Sequence, residues 1–511
     1  MQILMTVYSS EIEEKGSMCA LGSEIYSEKY RPQFHFSPKE NWMNDPNGMV
    51  YYEGEYHLFY QYYPDSTVWG PMHWGHAVSK DLVHWKHLPI ALYPDSLGFV
   101  FSGSAVVDWN NTSGFGSKAK PPMVAVFTYH NVEKEKAGRN DYQTQGIAFS
   151  NDKGRTWTKY TNNPVVKNPG VEDFRDPKVV WHKKTQKWIM TIVAHDHVSF
   201  YSSSNLIDWT FESNFGKGYG AHGGVWECPD LFLMTTEDNE KKWILICSII
   251  SKAPNGGSGT QYFVGEFDGH QFYCETSGIK WIDYGKDNYA GVTWSNIPES
   301  DGRKIFIGWM SNWQYANNVP TEKWRGIMTI PRNLKLLKVQ NDYLLSSVPI
   351  KEMELLREKS LEFLGDEIIA NSGFSKIAPF SFAPLEIVLN VKWDKQPVKF
   401  GIQLKNSIGE IVDVYYEGDE GVFIIDRTKL NNISFSKDFA GLHKIPIVSE
   451  DGLKLQILID ESSIEVFGNN GQFVMTELLF PVEKFNEISL YSQGDEIIVD
   501  EAKFYRLKSI W

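Results

Sequence analysis

Tyr56-His-Leu-Phe-Tyr-Gln61 is one of five short runs that decide the fold. The others are Met123-Val-Ala-Val-Phe-Thr128, Lys187-Trp-Ile-Met-Thr-Ile192, Lys242-Trp-Ile-Leu-Ile-Cys247 and Lys304-Ile-Phe-Ile-Gly-Trp309. Each is rich in β-branched and aromatic residues and has the length of a strand. Their starts lie 67, 64, 55 and 62 residues apart, so a unit of about 60 residues recurs five times. A second element recurs with it: Ser79-Lys-Asp-Leu-Val-His-Trp85, Ser150-Asn-Asp-Lys-Gly-Arg-Thr-Trp157 and Ser203-Ser-Asn-Leu-Ile-Asp-Trp209. Each is a polar turn closed by tryptophan, which suits a hairpin in every repeat. A fixed period of this length marks a repeat architecture, and four-stranded units point to an all-β, five-bladed β-propeller. The competing reading is a large irregular β-sandwich.

The period lapses after Pro331. Strand-like runs resume at Leu385–Val391, Val422–Asp426, Lys454–Ile459, Ser463–Phe467 and Glu487–Tyr491, separated by Gly, Asn and Asp turns. They predict a β-sandwich. The expected organisation is an N-terminal extension at residues 1–28, a catalytic propeller at 29–331, a linker at 332–354 and the sandwich at 355–511. A length of 511 residues suggests roughly three domains. Five blades closing into one unit reduce that to two.

Apolar residues make up 42% and charged residues 22%, which excludes a mostly disordered chain. The net charge of −14 disfavours nucleic acid and anionic membrane as partners and suits a neutral substrate. The 18 Trp, 25 Tyr and 30 Phe supply flat faces on which sugars stack. Four cysteines, Cys19, Cys228, Cys247 and Cys274, form no CxxC pair and are too few to staple the chain. Cys228 reads as a small buried side chain. No apolar run approaches the roughly 18 residues of a membrane span. The N-terminus shows no secretory signal. That places the protein in the cytoplasm if the terminus is native, and outside the cell if a leader lies beyond this chain.

His73/His76 and His84/His87 have metal-like spacing, but on strands such pairs point to opposite faces, so no metal and no cofactor are expected. Asn110, Asn111 and Asn432 head glycosylation sequons that matter only in a eukaryotic secretory pathway. The acidic stretch Glu11–Glu14 reads as a solvated face. Oligomeric state is left open.

Three acids stand at matching places in the repeat. Trp42-Met-Asn-Asp45-Pro-Asn-Gly48 precedes the first repeated strand, Phe174-Arg-Asp176-Pro177 the third, and Trp226-Glu227-Cys-Pro229-Asp230 the fourth. Asp45 and Asp176 lie 11 residues before their strands, and Glu227 lies 15 before. Singly, each is a common turn former. In register, the repeat carries all three to one end of a central axis. Crowded carboxyls repel, so at least one pKa must rise. A protonated carboxyl beside an ionised one is what glycoside hydrolysis requires.

These motifs resemble glycoside hydrolase family 32, whose members act on β-fructofuranosides. The resemblance spans residues 30 to 511 and rests on WMNDPNG at 42–48, WGPMHWGHAVSKDLVHW at 69–85, FSGSAVV at 101–107, FRDPKV at 174–179, WECPD at 226–230 and SSIEVFGNNG at 462–471. The wording is levanase-like. It implies a retaining exo-β-fructosidase acting on fructan (levan, inulin) or sucrose. Asp45 would be the nucleophile, Glu227 the acid/base and Asp176 a stabiliser of the transition state. Arg175 would keep Asp176 ionised, and Asn44 would favour the ionised form of Asp45. Asn44, Gln61, Trp69, Ser104 and Arg175 would line the fructose pocket, with Trp313 and Phe101 as stacking platforms. Core positions are the competing reading for Trp313, Trp309 and Phe101. Asp283 and Tyr284 would reach the substrate from the fifth blade. The alternatives are a fructosyltransferase sharing the intermediate, an inactive carbohydrate-binding homologue and a propeller scaffold for protein partners.

Overall fold

The computed structural model describes residues 26–369, 374–378, 384–449 and 451–511. Most of the expected extension, with Cys19 and Glu11–Glu14, lies outside the described residues. Five sheets, each built on four antiparallel strands and two of them carrying a short fifth, come first. Their opening strands are Asn41–Tyr52, Phe99–Val107, Phe174–His182, Trp226–Thr235 and Tyr289–Thr293. Each opening strand lies beside that of the next sheet, and the fifth lies beside the first, so the five line one axis as the inner strands of a closed ring. The repeated runs of the sequence are the second strand of each sheet.

Period two explains why these second strands are apolar throughout. In Lys241–Ile249, Leu245 and Cys247 pack towards the third sheet, whereas Ile244 and Ile246 pack towards the fifth. Apolar clusters fill every gap between neighbouring sheets around the ring, two of them between the first and second sheets. The turn tryptophans Trp157 and Trp209 fold back onto their own turns, donating to the carbonyls of Gly154 and Leu206. The paired histidines go separate ways. His76 bonds His57, His84 bonds Asp81, and His73 bonds the Pro71 carbonyl.

The stretch 332–354 is not a link. Arg332–Val339 and Asp342–Pro349 are the third and fourth strands of the fifth sheet, followed by a 3-10 turn at Lys351–Leu356. The period is stretched because residues 310–331 intervene within that sheet. Part of this insertion, Trp324–Arg325, pairs in parallel with Asn41 and Trp42 of the first sheet and helps close the ring.

Two six-stranded sheets follow, packed face to face as a β-sandwich. The sandwich docks through a segment that runs from Asp283 to Asp287. Tyr284 and Asp287 donate backbone hydrogen bonds to Val474 and Thr476 on a sandwich edge strand. Gly285 is required there, because a Cβ would stand 2.0 Å from the Thr476 nitrogen. Asp283 accepts from Arg332 Nη1 at 2.8 Å and from the Thr476 nitrogen at 3.0 Å. Asp283 and Tyr284 therefore serve this junction rather than a sugar.

The junction is strongly ionic and buried. Arg332, fully buried, bridges Asp283 of the ring and Glu465 of the sandwich. Arg427, also buried, pairs with Asp287 at 2.6 Å and Glu477 at 2.9 Å. His35 lies between Asp460 and Glu465, 2.8 Å from each. Burial alone would push the imidazole down, but the two carboxylates override it and hold His35 up at about 9. Removing one partner from such a set strands a buried charge. Arg332→Leu should therefore cost about 3–5 kcal/mol, read as a lower urea midpoint. A raised imidazole stabilises fully below its unfolded value near 6.5, and that contribution fades as pH climbs through about 9. Unfolding free energy measured from pH 6 to 10 should fall across this window, and His35→Gln should flatten the fall.

Candidate active site

Every inner strand breaks its register near its start. The breaks fall between Met43 and Pro46, between Phe101 and Gly103, at Asp176–Pro177, between Glu227 and Asp230, and between Tyr289 and Val292. A bulge inserts a residue, bends the strand and re-aims side chains. The proline beside each acid fits, since a bulged position needs no ladder donor. Asp176 and Cys228 pay in backbone conformation, with φ of 63° and 48°.

Residues of the first four bulges meet at one end of the axis around a cavity of about 370 Å³, and Tyr289 of the fifth bonds Glu227 behind it. Asn44, Asp45, Gln61, Trp69, Phe101, Arg175, Asp176, Glu227 and Trp313 all line it. Ser104 does not. Its hydroxyl donates to the Pro177 carbonyl at 2.9 Å and accepts from the Val179 nitrogen at 3.0 Å, tying the second inner strand to the third. Ser102, in the bulge, occupies the place expected of it and donates to Asp45 Oδ2 at 2.8 Å.

Asp45 also accepts from Asn44 Nδ2 at 2.8 Å, and Trp42 Nε1 fixes Asn44 by donating to its Oδ1 at 2.7 Å. Burial raises the Asp45 carboxyl to about 6, with the Glu227 charge adding to the rise and Asn44 and Ser102 opposing it. Burial also raises Asp176, to about 7. Arg175 pulls it down, while Glu227 and Asp45 push it up. Arg175 thus favours the ionised form of Asp176 without outweighing burial and the two neighbouring carboxyls. The guanidinium grips Glu227 Oε1 through Nε at 3.1 Å and Nη2 at 2.9 Å, and its other end holds Asp173. Glu227 Oε2 accepts from the Tyr289 hydroxyl.

Tyr289 was accessible to the repeat argument, because it lies 15 residues before its second strand, the same offset as Glu227. Cys228 was visible only as a buried side chain. Its nitrogen donates to Asp176 Oδ2 at 3.0 Å, and its sulfur lies 3.7 Å from both Asp45 Oδ2 and Asp176 Oδ2. Burial pushes this thiol well up, and the carboxylates push it further, so it stays a protonated donor. Asp173 belongs to the rim by holding Arg175. No motif signal distinguished it from a turn aspartate.

Apolar surface frames the mouth. Trp69, 39% exposed, meets Phe101 edge-on, and Phe101 stacks on His130 at 4.3 Å. Trp313 leans on Trp42 and Trp309, and Trp309 is wholly core. Two buried donors at the cavity, Gln61 Nε2 and Trp313 Nε1, have no partner among the described residues.

The chain is similar to known proteins along most of its length. The N-terminal domain of glycosyl hydrolases family 32 matches residues 35–348, and the C-terminal domain of the same family matches 352–506. A levanase of Bacillus subtilis (strain 168) is 47% identical, over 96% of this chain and 72% of that protein. The crystal structure of an exo-inulinase from Aspergillus awamori superposes with a TM-score of 0.86 at 36% identity, covering 95% of this chain and all of that one. A fructofuranosidase from Schwanniomyces occidentalis, solved with fructose, gives 0.86 at 31% identity with the same coverage.

Removing a donor from a buried carboxylate favours its protonated form. Ser102→Ala should raise the Asp45 titration by up to about one pH unit, given the strength of one hydrogen bond. Carbon-13 NMR of labelled aspartate carboxyls measures it directly.

Proposed function

The chain belongs to glycoside hydrolase family 32, and on that footing we propose a retaining exo-β-fructosidase that removes terminal β-D-fructofuranosyl units from levan, inulin and sucrose. The observation that carries this reading is the convergence of Asp45, Asp176 and Glu227 from three different sheets on one axial cavity. The cavity volume of about 370 Å³ suits a chain end and its leaving group rather than polymer lying across a groove.

Asp45 attacks the anomeric carbon as the glycosidic bond breaks, and Glu227 gives its proton to the leaving oxygen. Water then enters, Glu227 takes its proton, and the oxygen–carbon bond to Asp45 breaks with net retention. Two displacements at one carbon give that stereochemistry. The nucleophile must be ionised, so the raised Asp45 is matched to working pH near neutrality rather than to strong acid. Asp176 does not attack. Its carboxyl sits against the Cys228 amide, placed to hold hydroxyls and to face the positive charge that develops on the sugar ring. Arg175 and Tyr289 fix the Glu227 carboxyl by one oxygen each. Gln61 and the Trp69 and Trp313 walls position the ring.

Incubation with sucrose, inulin and levan, followed by chromatography, should yield fructose as the released sugar from each fructan and glucose plus fructose from sucrose. Early oligosaccharides would mean endo-cleavage, and longer products from sucrose would mean transfer. Asp45→Ala and Glu227→Ala should each lower kcat by several orders of magnitude while the thermal transition stays in place. Near-normal turnover by Glu227→Ala would remove it from the acid/base role.

A further inference from the structure

Past their bulges the inner strands carry a second constellation. Lys178 lies two residues past Asp176, and Asp230 three past Glu227. With Thr293 and Trp294, which close the fifth inner strand, they line a cavity of about 300 Å³. The carboxylate trio sits at the starts of the same strands, so this cavity opens on the other face of the ring.

Its floor is polar and incompletely satisfied. Asp230 is 1% exposed. Its Oδ2 accepts from the Thr293 nitrogen and hydroxyl, each at 2.7 Å, and pairs with Lys178 Nζ at 3.1 Å. Its Oδ1 has no partner among the described residues. A buried carboxylate oxygen left without a donor is costly and calls for one. Lys304 lines the same cavity, and burial pushes its ammonium down from the ordinary value.

The walls are indole. Trp181 and Trp188 meet edge to face with centroids 5.0 Å apart, and Trp109 stands at the lip, 53% exposed. The N–H groups of Trp109, Trp188 and Trp294 are already bonded, to Asn296 Oδ1, Thr112 Oγ1 and the His57 carbonyl. Trp109 therefore offers ring surface rather than a hydrogen bond, while Trp188 and Trp294 are buried behind the wall.

We propose that this cavity is a second carbohydrate-binding site, taking one neutral sugar unit at the far end of the axis. One hydroxyl donates to Asp230 Oδ1, another accepts from Lys304 Nζ, and the apolar face of the sugar lies on indole. An anion fits less well. Lys178 is neutralised by Asp230 and Lys183 by Glu299, which leaves one ammonium beside an unmet acceptor. A wholly apolar ligand would satisfy neither group. The choice of fructose and sucrose as probes rests on the β-fructosidase reading above.

The test uses the full chain carrying Glu227→Gln, titrated calorimetrically with sucrose and soaked in the crystal with fructose. Two sugars per chain are expected, the second with a hydroxyl in bonding distance of Asp230 Oδ1. In the otherwise unaltered chain, Trp181→Ala or Lys304→Met should weaken that second site about tenfold and leave kcat/KM on sucrose within about twofold. The second variant guards against a folding defect in the first. One sugar per chain, or only ordered water or inorganic phosphate at Asp230, overturns the proposal. Sucrose turnover with a single bound sugar would sink this site and leave the β-fructosidase reading standing. Two bound sugars with no turnover by the unaltered chain would do the reverse.

Discussion

Five strands crowded about one axis cannot all keep a regular ladder to their ends, and the way they give way is the constraint from which the site follows. Each inner strand bulges at the same end. The bulges turn Asp45, Ser102, Asp176, Glu227 and Tyr289 towards a common space that packed sheets shield from water. Burial there raises both Asp45 and Asp176, so holding them ionised opposes folding. Apolar clusters in every gap between sheets offset that cost.

The donors around the trio divide the work. Asp45 has two neutral donors, Asn44 and Ser102, so its charge is eased without being neutralised. Glu227 faces a guanidinium and a phenol. Asp176 has a backbone amide and a protonated thiol. Three like groups in one cavity thus acquire three different environments, which is the condition for different chemical roles.

Charge is used differently where the ring meets the sandwich. There Arg332, Arg427 and His35 are sealed with carboxylates from both units. Such pairs add less net stability than well-packed apolar side chains, but breaking one strands a buried charge and is strongly destabilising. The Asp283–Asp287 segment illustrates the difficulty of reading them from sequence. An acid, a tyrosine and a glycine beside the fifth sheet resemble a binding loop until the edge strand that they pair with is known.

The sequence by itself determined the all-β repeat and the sandwich, because period-two burial and a constant spacing are written in one dimension. It also brought Asp45, Asp176 and Glu227 to one place, because equivalent positions of a repeat are equivalent in space. It did not distinguish Ser102 from Ser104. A one-residue bulge changes what a side chain meets without changing the hydrophobic pattern. It assigned residues 332–354 to a linker because the insertion before them broke the spacing. Only the tertiary structure decided that Arg175 grips Glu227, that Asp283 belongs to Arg332 and Thr476, and that Tyr289 completes the trio's surroundings. Those partners lie 49 to 193 residues apart in the chain. A hydrogen bond depends on angstroms of separation, which closure of the ring and docking of the sandwich set.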